Sequence, residues 1–362
     1  MGRNWTVGRG ADRVGDVNRF TSRGTSPGPR LRRLAPLVAG GLLAVLTACS
    51  ENAPQDTMEP QGPVSRTILH LSEPVFLIAG VVFVLVQGLV IYAVIKFRQR
   101  PGDTGPEPEQ VHGNTKLEVG WTLIPALILF SIAIPTIKTI FDLSQRPKHA
   151  LNITVVGHQF WWEYRYDDLG IVSANELNIP AGVPVELKLQ SVDVIHSYWI
   201  PPLAGKTDVI PGRTNHMSFE ADKPGTYLGQ CTEFCGLSHA NMRARAIAHT
   251  PADFDAWVAS QRVAVATPAA GGPAAEGLAL FNGKGCAGCH TVEGVSQGKI
   301  GPNLTHLQSR HTFAGSVLAM NEDNLRTWLR NPPGVKPGSV MPNLGLTPDE
   351  ITKLIAYLET LQ

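Results

Sequence analysis

The chain has 362 residues, of which 43% are apolar and only 17% are charged. Soluble proteins usually carry about 25% charged residues. The formal net charge of +1 excludes a strongly basic nucleic-acid-binding protein. Glycine and proline are abundant, at 36 and 28 residues, which favours turns and linkers over one long helical bundle. Five cysteines, an odd number, cannot form a closed set of intramolecular disulfides.

The N-terminal region is predicted to be a leader. It is rich in arginine and then apolar and uncharged over 34–48. A core of this length is short for a bilayer span and is typical of a signal peptide. It ends in the letters LTAC, which resemble the bacterial lipobox. We therefore predict a leader over 1–48 and lipidation of Cys49, the alternative being a signal peptide with an incidental cysteine.

Two uncharged apolar runs predict a transmembrane hairpin over 74–141, after an extracytoplasmic segment over 49–73. The first run, 74–95, reaches about 33 Å as a helix, which is enough to cross a bilayer. The second covers 119–137, and two buried core helices would be a poor alternative at this length. Basic residues follow the first run at once, so the positive-inside rule places the connecting loop in the cytoplasm. Everything after the hairpin is then expected outside the cytoplasm.

Over 150–260 the pattern changes to period two. Every even position of 160–166 is aromatic, while the odd positions carry Trp, Glu and Arg. This alternation predicts a half-buried strand with Trp161 exposed on its polar face. Similar short runs are separated by Pro-Gly turns, which predicts a β-sandwich or barrel.

Near its end this β domain carries a cluster of candidate metal ligands. Cys231, Cys235, His239 and Met242 follow the pattern C-x3-C-x3-H-x2-M. Two thiolates, an imidazole and a thioether are soft ligands that favour copper over hard cations. His196, which lies 35 residues upstream at the end of an alternating strand, is the candidate for a second imidazole.

Three other interpretations of this cluster remain open on residue type alone. The two cysteines could form a disulfide in an oxidising compartment. Two cysteines and two histidines could hold a tetrahedral zinc ion, although the methionine argues against zinc. A mononuclear blue-copper site would need one cysteine only, so the second cysteine argues against it.

Over roughly 70–260 the chain resembles subunit II of the haem-copper cytochrome c oxidases. The resemblance is carried by the two apolar runs, by the cysteine loop and by the segments that begin at Gly157, Asp193 and Lys206. It implies a cupredoxin fold that holds the binuclear copper A centre. The ligands that it implies are His196, Cys231, the backbone carbonyl of Glu233, Cys235, His239 and Met242. It also implies a magnesium ion, shared with subunit I, on the Glu233 carboxylate.

The same resemblance suggests roles for two further residues. In the family, a glutamate at the position of Glu118 lies where a proton path into subunit I begins; the alternative is an interfacial charge. The family usually has a tryptophan that receives electrons from cytochrome c where this chain has Phe160. Trp161 is therefore the candidate electron acceptor, the alternative being that these aromatic residues only pack.

An Ala/Pro/Gly-rich segment over 261–275 predicts a linker, which would tether a final domain over 276–362. That domain contains Cys286 and Cys289 followed by His290, the C-x-x-C-H pattern of covalent haem c attachment. A thioredoxin-like motif is the alternative, but the flanking βαβ pattern is missing. We predict one covalent haem c, with the histidine as the proximal iron ligand.

Met341, in a proline-rich loop 51 residues after His290, is the predicted sixth iron ligand. Its rivals are His306 and His311, of which His306 is expected at the surface or in packing, and Met320 is expected in a helix or the core. Methionine–histidine ligation is found in electron-transfer cytochromes. The remaining histidines are interpreted as structural or surface residues: His70, His112, His149, His158, His216 and His249.

The domain is expected to end in a helix from Pro348 to about Leu361. Thr347 and Glu350 predict a capping box at its start. Such a helix suits an all-α class I cytochrome c fold.

The predicted architecture is a multidomain membrane protein with a two-helix transmembrane hairpin, an all-β cupredoxin domain and an all-α cytochrome c domain. The resemblance implies subunit II of a caa-type oxidase. Electrons would pass from haem c through copper A to haem a of subunit I, where oxygen reduction is coupled to proton pumping. The expected partners are subunit I with its haem a and copper B centre, subunit III, cytochrome c or another donor, and the lipid bilayer. We expect the bacterial plasma (inner) membrane, with both domains on the periplasmic side.

The main alternative is a membrane-tethered copper and haem electron carrier without an oxidase partner. A quinol oxidase subunit II lacks the copper ligands and a fused haem. Nitrous oxide reductase would need a large additional domain for its catalytic copper cluster.

Overall fold

A computed structural model describes residues 53–99, 102, 105, 109–110 and 112–362. The predicted leader over 1–48 and the predicted lipidation site Cys49 lie outside the described residues. The described residues from Pro54 to Gln362 belong to one compact unit.

Two long helices form the predicted hairpin: α1 (Pro63–Lys96) and α2 (Thr115–Leu143). Both are long and apolar enough to cross a membrane, and their apolar side chains are exposed. Helix α1 begins well before Pro74, which lies inside it. The predicted segment 49–73 is therefore helical from Pro63 onwards. The uncharged run begins later than the helix because Arg66 and Glu73 precede it, and a helix can continue beyond its apolar part.

Ten strands follow the hairpin and form the β domain, here called the sandwich domain (residues 151–260). They are β1 (Leu151–His158), β2 (Trp161–Tyr166), β3 (Ile171–Ala174), β4 (Glu176–Pro180), β5 (Val185–Ser191), β6 (His196–Trp199), β7 (Thr207–Val209), β8 (Asn215–Phe219), β9 (Gly225–Cys231) and β10 (Arg243–His249). One sheet has the order β3-β2-β1-β5-β8 and the other β4-β10-β9-β6-β7. The pairs β1–β5 and β4–β10 are parallel, and the other pairs are antiparallel. The prediction of a β-sandwich is confirmed.

Aromatic side chains fill the space between the two sheets. Trp162, Tyr164 and Tyr166, the even positions of β2, are each at most 1% exposed. Tyr198 comes from the opposite sheet, and its hydroxyl lies 3.2 Å from that of Tyr164. The predicted inward face of β2 is therefore correct, because alternate residues of a strand point to the same face.

The first turns of α1 are attached to the sandwich domain. The Ser65 hydroxyl donates to the Pro202 carbonyl at 2.7 Å. The Arg66 guanidinium pairs with both carboxylate oxygens of Asp222, with 3.0 Å between Nη2 and Oδ1. The helix that is long enough to cross a membrane is thus also attached to the sandwich domain.

Helix α3 (Pro251–Ser260) packs on the sandwich domain, and α4 (Pro273–Gly283) opens the last domain, here called the C-terminal domain (residues 273–362). Because α4 begins at Pro273, the predicted linker 261–275 is too long at its C-terminal end. The other elements of the domain are α5 (Cys286–Cys289), β11 (Thr291–Val292), β12 (Ser296–Gln297), β13 (Thr312–Phe313), β14 (Leu318–Ala319), α6 (Glu322–Arg330), α7 (Pro332–Val335) and α8 (Pro348–Leu358). Single 3-10 turns cover His239–Asn241 and Leu307–Ser309.

Helices α4 and α8 cross at close range in the C-terminal domain. A Cβ atom on Gly277 would lie 2.0 Å from the Lys353 carbonyl oxygen, so the crossing depends on a glycine there. The predicted capping box at the start of α8 is confirmed, with Thr347 and Glu350 each bonding to the backbone of the other. The domain is helical, as expected, with two additional short hairpins.

Candidate functional site

The pairing of β6 with β9 creates the first site. Tyr198 lies opposite Cys231 in this register, and His196 is the first residue of β6. The C-terminal end of β9 and the start of β6 therefore meet at the same end of the sheet. His196 is fully buried there, with 0% of its surface exposed.

The six predicted donors converge around the two cysteines. The distances are 3.9 Å for Cys231 Sγ to Cys235 Sγ, 3.9 Å for Cys231 Sγ to His196 Nδ1, 3.3 Å for Cys231 Sγ to the Glu233 carbonyl oxygen, 3.6 Å for Cys235 Sγ to His239 Nδ1 and 3.9 Å for Cys235 Sγ to Met242 Sδ. A disulfide needs its sulfurs about 2.05 Å apart, and both cysteines are free. Two thiols, two imidazoles, a thioether and a carbonyl exceed the four ligands of a structural zinc site. This soft donor set fits copper.

The two thiols perturb each other. Hydrogen bonding from Cys235 and His196 lowers the pKa of Cys231, while the neighbouring Cys231 sulfur and burial raise the pKa of Cys235. The chain alone therefore favours one thiolate. Metal binding requires deprotonated thiols and releases their protons.

Two residues outside the predicted ligand set orient these ligands. Asp193 Oδ1 lies 2.8 Å from His196 Nε2, which leaves Nδ1 directed at Cys231. The Gln159 backbone N–H donates to Asp193 Oδ2 at 2.6 Å, and its side chain donates to the Cys235 carbonyl at 2.5 Å. Carboxylates that bond the second nitrogen of a metal-binding histidine fix its tautomer and orientation. Asp193 and Gln159 lie in segments that carry the family resemblance, but their spacing alone predicts no role for either residue.

A second site is a cavity of about 460 Å³ whose lining includes Cys286, Cys289, His290 and Met341. His290 Nδ1 lies 2.8 Å from the Pro302 carbonyl, which leaves its Nε2 for a ligand. Burial lowers the pKa of His290, which favours the neutral imidazole that a metal binds. Pro302, in the loop over 301–304, thus orients the ring of the predicted proximal histidine.

The rival ligands lie elsewhere. Neither His306 nor His311 is among the described residues that line the cavity. His306 Nδ1 contacts the Gln362 carbonyl at 2.5 Å, and Met320 packs against the core of the C-terminal domain. Of the candidate sixth ligands, Met341 is the one that the structure brings into the same cavity as His290.

The opposite wall of this cavity belongs to the sandwich domain. His158, Phe160 and Trp161 line it together with the haem-motif residues. The prediction that Trp161 is exposed is wrong: the side chain is 8% exposed and stacks on His158, with ring centroids 4.1 Å apart. Of the odd positions of 160–166 only Arg165 is exposed, since Glu163 is buried as well. At Trp161 the strand end faces the cavity that it shares with the C-terminal domain. His158 was interpreted as structural or surface; its place two residues before the aromatic run was the signal that it belongs to the site.

The residues of this cavity fit a covalent haem. Two thiols, an imidazole and a thioether are the donors that a c-type haem uses. In addition, Arg310 lines the cavity, and its buried Nε has no hydrogen-bond partner. A buried cation beside the cavity is compatible with a group that carries acidic substituents.

Glu118 lies in the first turn of α2. Its Oε1 accepts a hydrogen bond from the Asn114 backbone N–H at 3.2 Å, and Asn114 Oδ1 caps the helix through Lys116 and Leu117. Its position therefore has a local structural role in this chain. This role does not depend on a partner subunit.

Comparison with known proteins covers the three parts of the chain. Family profiles match the transmembrane domain of cytochrome c oxidase subunit II at residues 55–139, its periplasmic domain at 170–248 and cytochrome c at 274–362. Cytochrome c oxidase subunit 2 of Alkalihalophilus pseudofirmus is 37% identical over 328 residues, which are 89% of this chain and 95% of the relative. The chain belongs to the cytochrome c oxidase subunit II family. Cytochrome c oxidase subunit 2 of Bacillus sp. (strain PS3) is also 37% identical, over 74% of this chain and 80% of the relative.

Membership of the subunit II family accounts for both sites. The chain holds copper A and haem c, because it combines the periplasmic domain of the family with a cytochrome c domain. Quinol oxidase subunit 2 of Bacillus cereus is similar too, at 34% identity, but over only 62% of this chain. The copper donors and the C-x-x-C-H motif distinguish this subunit II from the quinol oxidase type that sequence analysis considered.

Replacement of one donor tests the ligand set. We expect His239→Asn to lower the copper-to-haem ratio of the purified protein to about half or less, because a closed soft-donor site loses affinity with each ligand. His216→Asn is the matched control, since His216 pairs with Glu186 in the same domain, away from the donors. The measurement is elemental analysis for copper against haem absorbance. Equal ratios in both variants would contradict the assignment of His239.

Proposed function

We propose that electrons pass from haem c to copper A inside this chain, through the wall that the two domains share. The chain is subunit II of a haem-copper oxidase with a fused cytochrome c domain, and it transfers electrons to subunit I. The observation that carries the proposal is the cavity: residues of the sandwich domain line the same space as the predicted haem ligands. The haem group, when bound, supplies reversible one-electron oxidation of its iron.

Trp161 is the residue of the sandwich domain that we assign as electron acceptor. Its ring lines the cavity on one side and stacks on His158 on the other. Gly157, which directly precedes His158, packs against the proposed copper ligand His196. A Cβ atom on Gly157 would lie 2.8 Å from His196 Cδ2. A continuous series of packed groups therefore connects the haem cavity with the copper donors. Phe160, at the family's usual tryptophan position, is buried beside this path.

Substitution of the tryptophan tests this path. We expect Trp161→Phe to slow electron transfer from haem c to copper A about tenfold, equivalent to about 1.4 kcal/mol in the barrier. The control is Trp257→Phe, because Trp257 packs on Tyr166 in the sandwich domain and does not line the cavity. Flash photolysis of the purified oxidase, followed at the haem c and copper A absorption bands, measures the rate. An unchanged rate for Trp161→Phe would exclude this residue from the path.

We also propose His196, Cys231, Glu233, Cys235, His239 and Met242 as the copper ligands, and Cys286, Cys289, His290 and Met341 as the haem residues. The support is the convergence of their donor atoms. A closed set of protein ligands leaves no open metal position for a substrate. The centre is therefore suited to electron transfer and not to bond chemistry.

For magnesium we propose the Glu233 carboxylate as a ligand at the interface with subunit I. The Glu233 carbonyl oxygen faces Cys231, while the residue as a whole is exposed. Its carboxylate is thus available to a metal outside the sandwich domain, and hard cations prefer such oxygen ligands.

The magnesium proposal is tested by substituting manganese. We expect Glu233→Gln to reduce bound Mn²⁺ in oxidase from manganese-grown cells at least several-fold, because a neutral amide binds a divalent ion less well. Asp255→Asn, an exposed carboxylate in helix α3, serves as the control. Manganese EPR of the intact complex gives the occupancy; a full Mn²⁺ signal in Glu233→Gln would rule the ligand out.

For Glu118 we propose a role in proton uptake into subunit I. A glutamine retains the carbonyl that caps the Asn114 N–H, so Glu118→Gln removes the charge and keeps the local hydrogen bond. We expect turnover and proton uptake of the assembled complex to fall about tenfold. Glu109→Gln, in the loop before α2, is the control, and proton uptake in vesicles is the readout. Unchanged uptake in Glu118→Gln would refute the role.

We further propose that the hairpin places this chain in the bacterial plasma membrane, with both domains on the periplasmic side. The support is the pair of basic residues at the end of α1 and just after it, Lys96 and Arg98, which favours the cytoplasm for the loop. Subunit I is the partner that the subunit II family requires. Subunit III and an external donor, cytochrome c or another carrier, complete the proposed assembly.

A further inference from the structure

Two buried ionisable residues lie at the contact between the sandwich domain and the C-terminal domain. Glu176 is in the first of these domains and is 1% exposed; Lys336 is in the second and is 4% exposed. Acidic residues and lysines are almost never fully buried unless they are paired. Both side chains form hydrogen bonds to the other domain.

Glu176 begins β4, the edge strand of its sheet. Its Oε1 accepts from the Thr312 hydroxyl at 2.8 Å and its Oε2 from the His311 backbone N–H at 3.0 Å. Its Oε2 also lies 3.2 Å from His311 Nδ1. Burial of a carboxylate costs several kcal/mol unless hydrogen bonds compensate it, and charge-assisted bonds are the strong ones. The side-chain hydrogen bonds that compensate Glu176 come from the C-terminal domain.

Lys336 extends from the C-terminal domain to the sandwich domain. Its Nζ donates to the Phe160 carbonyl of the sandwich domain at 2.6 Å and to the Ala314 carbonyl of its own domain at 2.9 Å. Burial lowers the pKa of Lys336 to about 7, so two carbonyl bonds do not replace the hydration that the ammonium has lost. The desolvation of this lysine makes each of its remaining hydrogen bonds important. Its geometry is explained by the bond that it makes across the interface.

The Phe160 carbonyl, which accepts the hydrogen bond from Lys336, lies between residues that contact both redox sites. Phe160 follows Gln159, whose side chain bonds to the Cys235 carbonyl in the copper loop. It precedes Trp161, which lines the haem cavity. A displacement of this one peptide group would therefore move the wall between the two sites.

Further bonds at the interface fix one relative orientation. They join Ser238 to the Pro337 carbonyl, the Arg243 N–H to the Gly315 carbonyl at 3.1 Å, the Ser316 hydroxyl to the Asn175 carbonyl at 3.1 Å and the Gln261 side chain to the Ser309 hydroxyl at 3.2 Å. The linker predicted a tethered final domain. In the structure this domain is in addition docked on the sandwich domain.

We propose that Glu176 and Lys336 are positioning residues that lock the C-terminal domain onto the sandwich domain. Electron transfer then occurs between fixed partners and does not wait for a tethered domain to diffuse into contact. The inference rests on the proposed transfer from haem c to copper A, and it adds the residues that hold the two sites in register.

The test compares Lys336→Met and Glu176→Gln with two controls in the purified oxidase. Lys353→Met removes a half-buried lysine that pairs with Glu276 and Asp349 within the C-terminal domain. Glu186→Gln removes a buried carboxylate that bonds to His216 within the sandwich domain. Flash photolysis at increasing glycerol concentration measures the rate from haem c to copper A. In the unmodified protein and the controls we expect a rate that is independent of viscosity.

In the two interface variants we expect a rate about tenfold lower that decreases further as viscosity rises. Haem c absorbance and the copper A EPR signal should remain unchanged, which shows that both domains are folded and loaded. A viscosity-dependent rate in the unmodified protein, or unchanged rates in both interface variants, would overturn the proposal.

A second readout does not depend on electron transfer. A protease site inserted between residues 262 and 272 of the full-length chain allows the linker to be cut in the assembled complex. We expect the cut C-terminal domain to stay with the membranes in the unmodified protein and to be released by Lys336→Met with Glu176→Gln. Release from the unmodified protein would refute the lock. Retention that depends on these two residues, combined with an unchanged rate in Trp161→Phe, would uphold the lock and reject the proposed electron path.

Discussion

The turn between β1 and β2 is the constraint on which both redox sites depend. Within five residues, Gly157 packs on the proposed copper ligand His196, Gln159 bonds to the Cys235 carbonyl, Phe160 accepts the bond from Lys336 and Trp161 lines the haem cavity. These contacts point in different directions from one short segment. The separation of the two sites is therefore set by the backbone of this turn and not by the linker.

Each site combines a local cluster with one remote residue. The proposed copper donors come from one loop and from His196, which the β6–β9 register brings beside them. The proposed haem donors come from the C-x-x-C-H motif and from Met341, which a proline-rich loop returns to the cavity. The members of a local cluster can be recognised from their spacing in the sequence. The remote members, His196 and Met341, are brought to their sites only by the fold. A site with a closed ligand set needs a fold that is rigid enough to place them.

This division explains what could be predicted from the sequence. The period of β2 predicted the buried positions of Trp162, Tyr164 and Tyr166, and the Thr347 capping box predicted the start of α8, because both patterns depend on neighbouring residues. The exposure of Trp161 was predicted wrongly, since a strand period cannot reveal that a second domain covers the polar face.

For the same reason the roles of Glu176 and Lys336 could not be found from spacing. Their partners lie up to 176 positions away along the chain, across a domain boundary. Glu176 and Lys336 resemble ordinary surface charges in the sequence. Their burial becomes visible only when the two domains are docked.

The linker and the interface have different physical tasks. A tether of about a dozen residues already holds the C-terminal domain near copper A at an effective concentration of order millimolar. Additional affinity is then of little use, whereas orientation is essential, because only one face of the domain carries the haem cavity. Buried polar groups contribute little net affinity after desolvation, but they penalise every arrangement that leaves them unpaired. Glu176 and Lys336 thus select one docked geometry among the many that the linker permits.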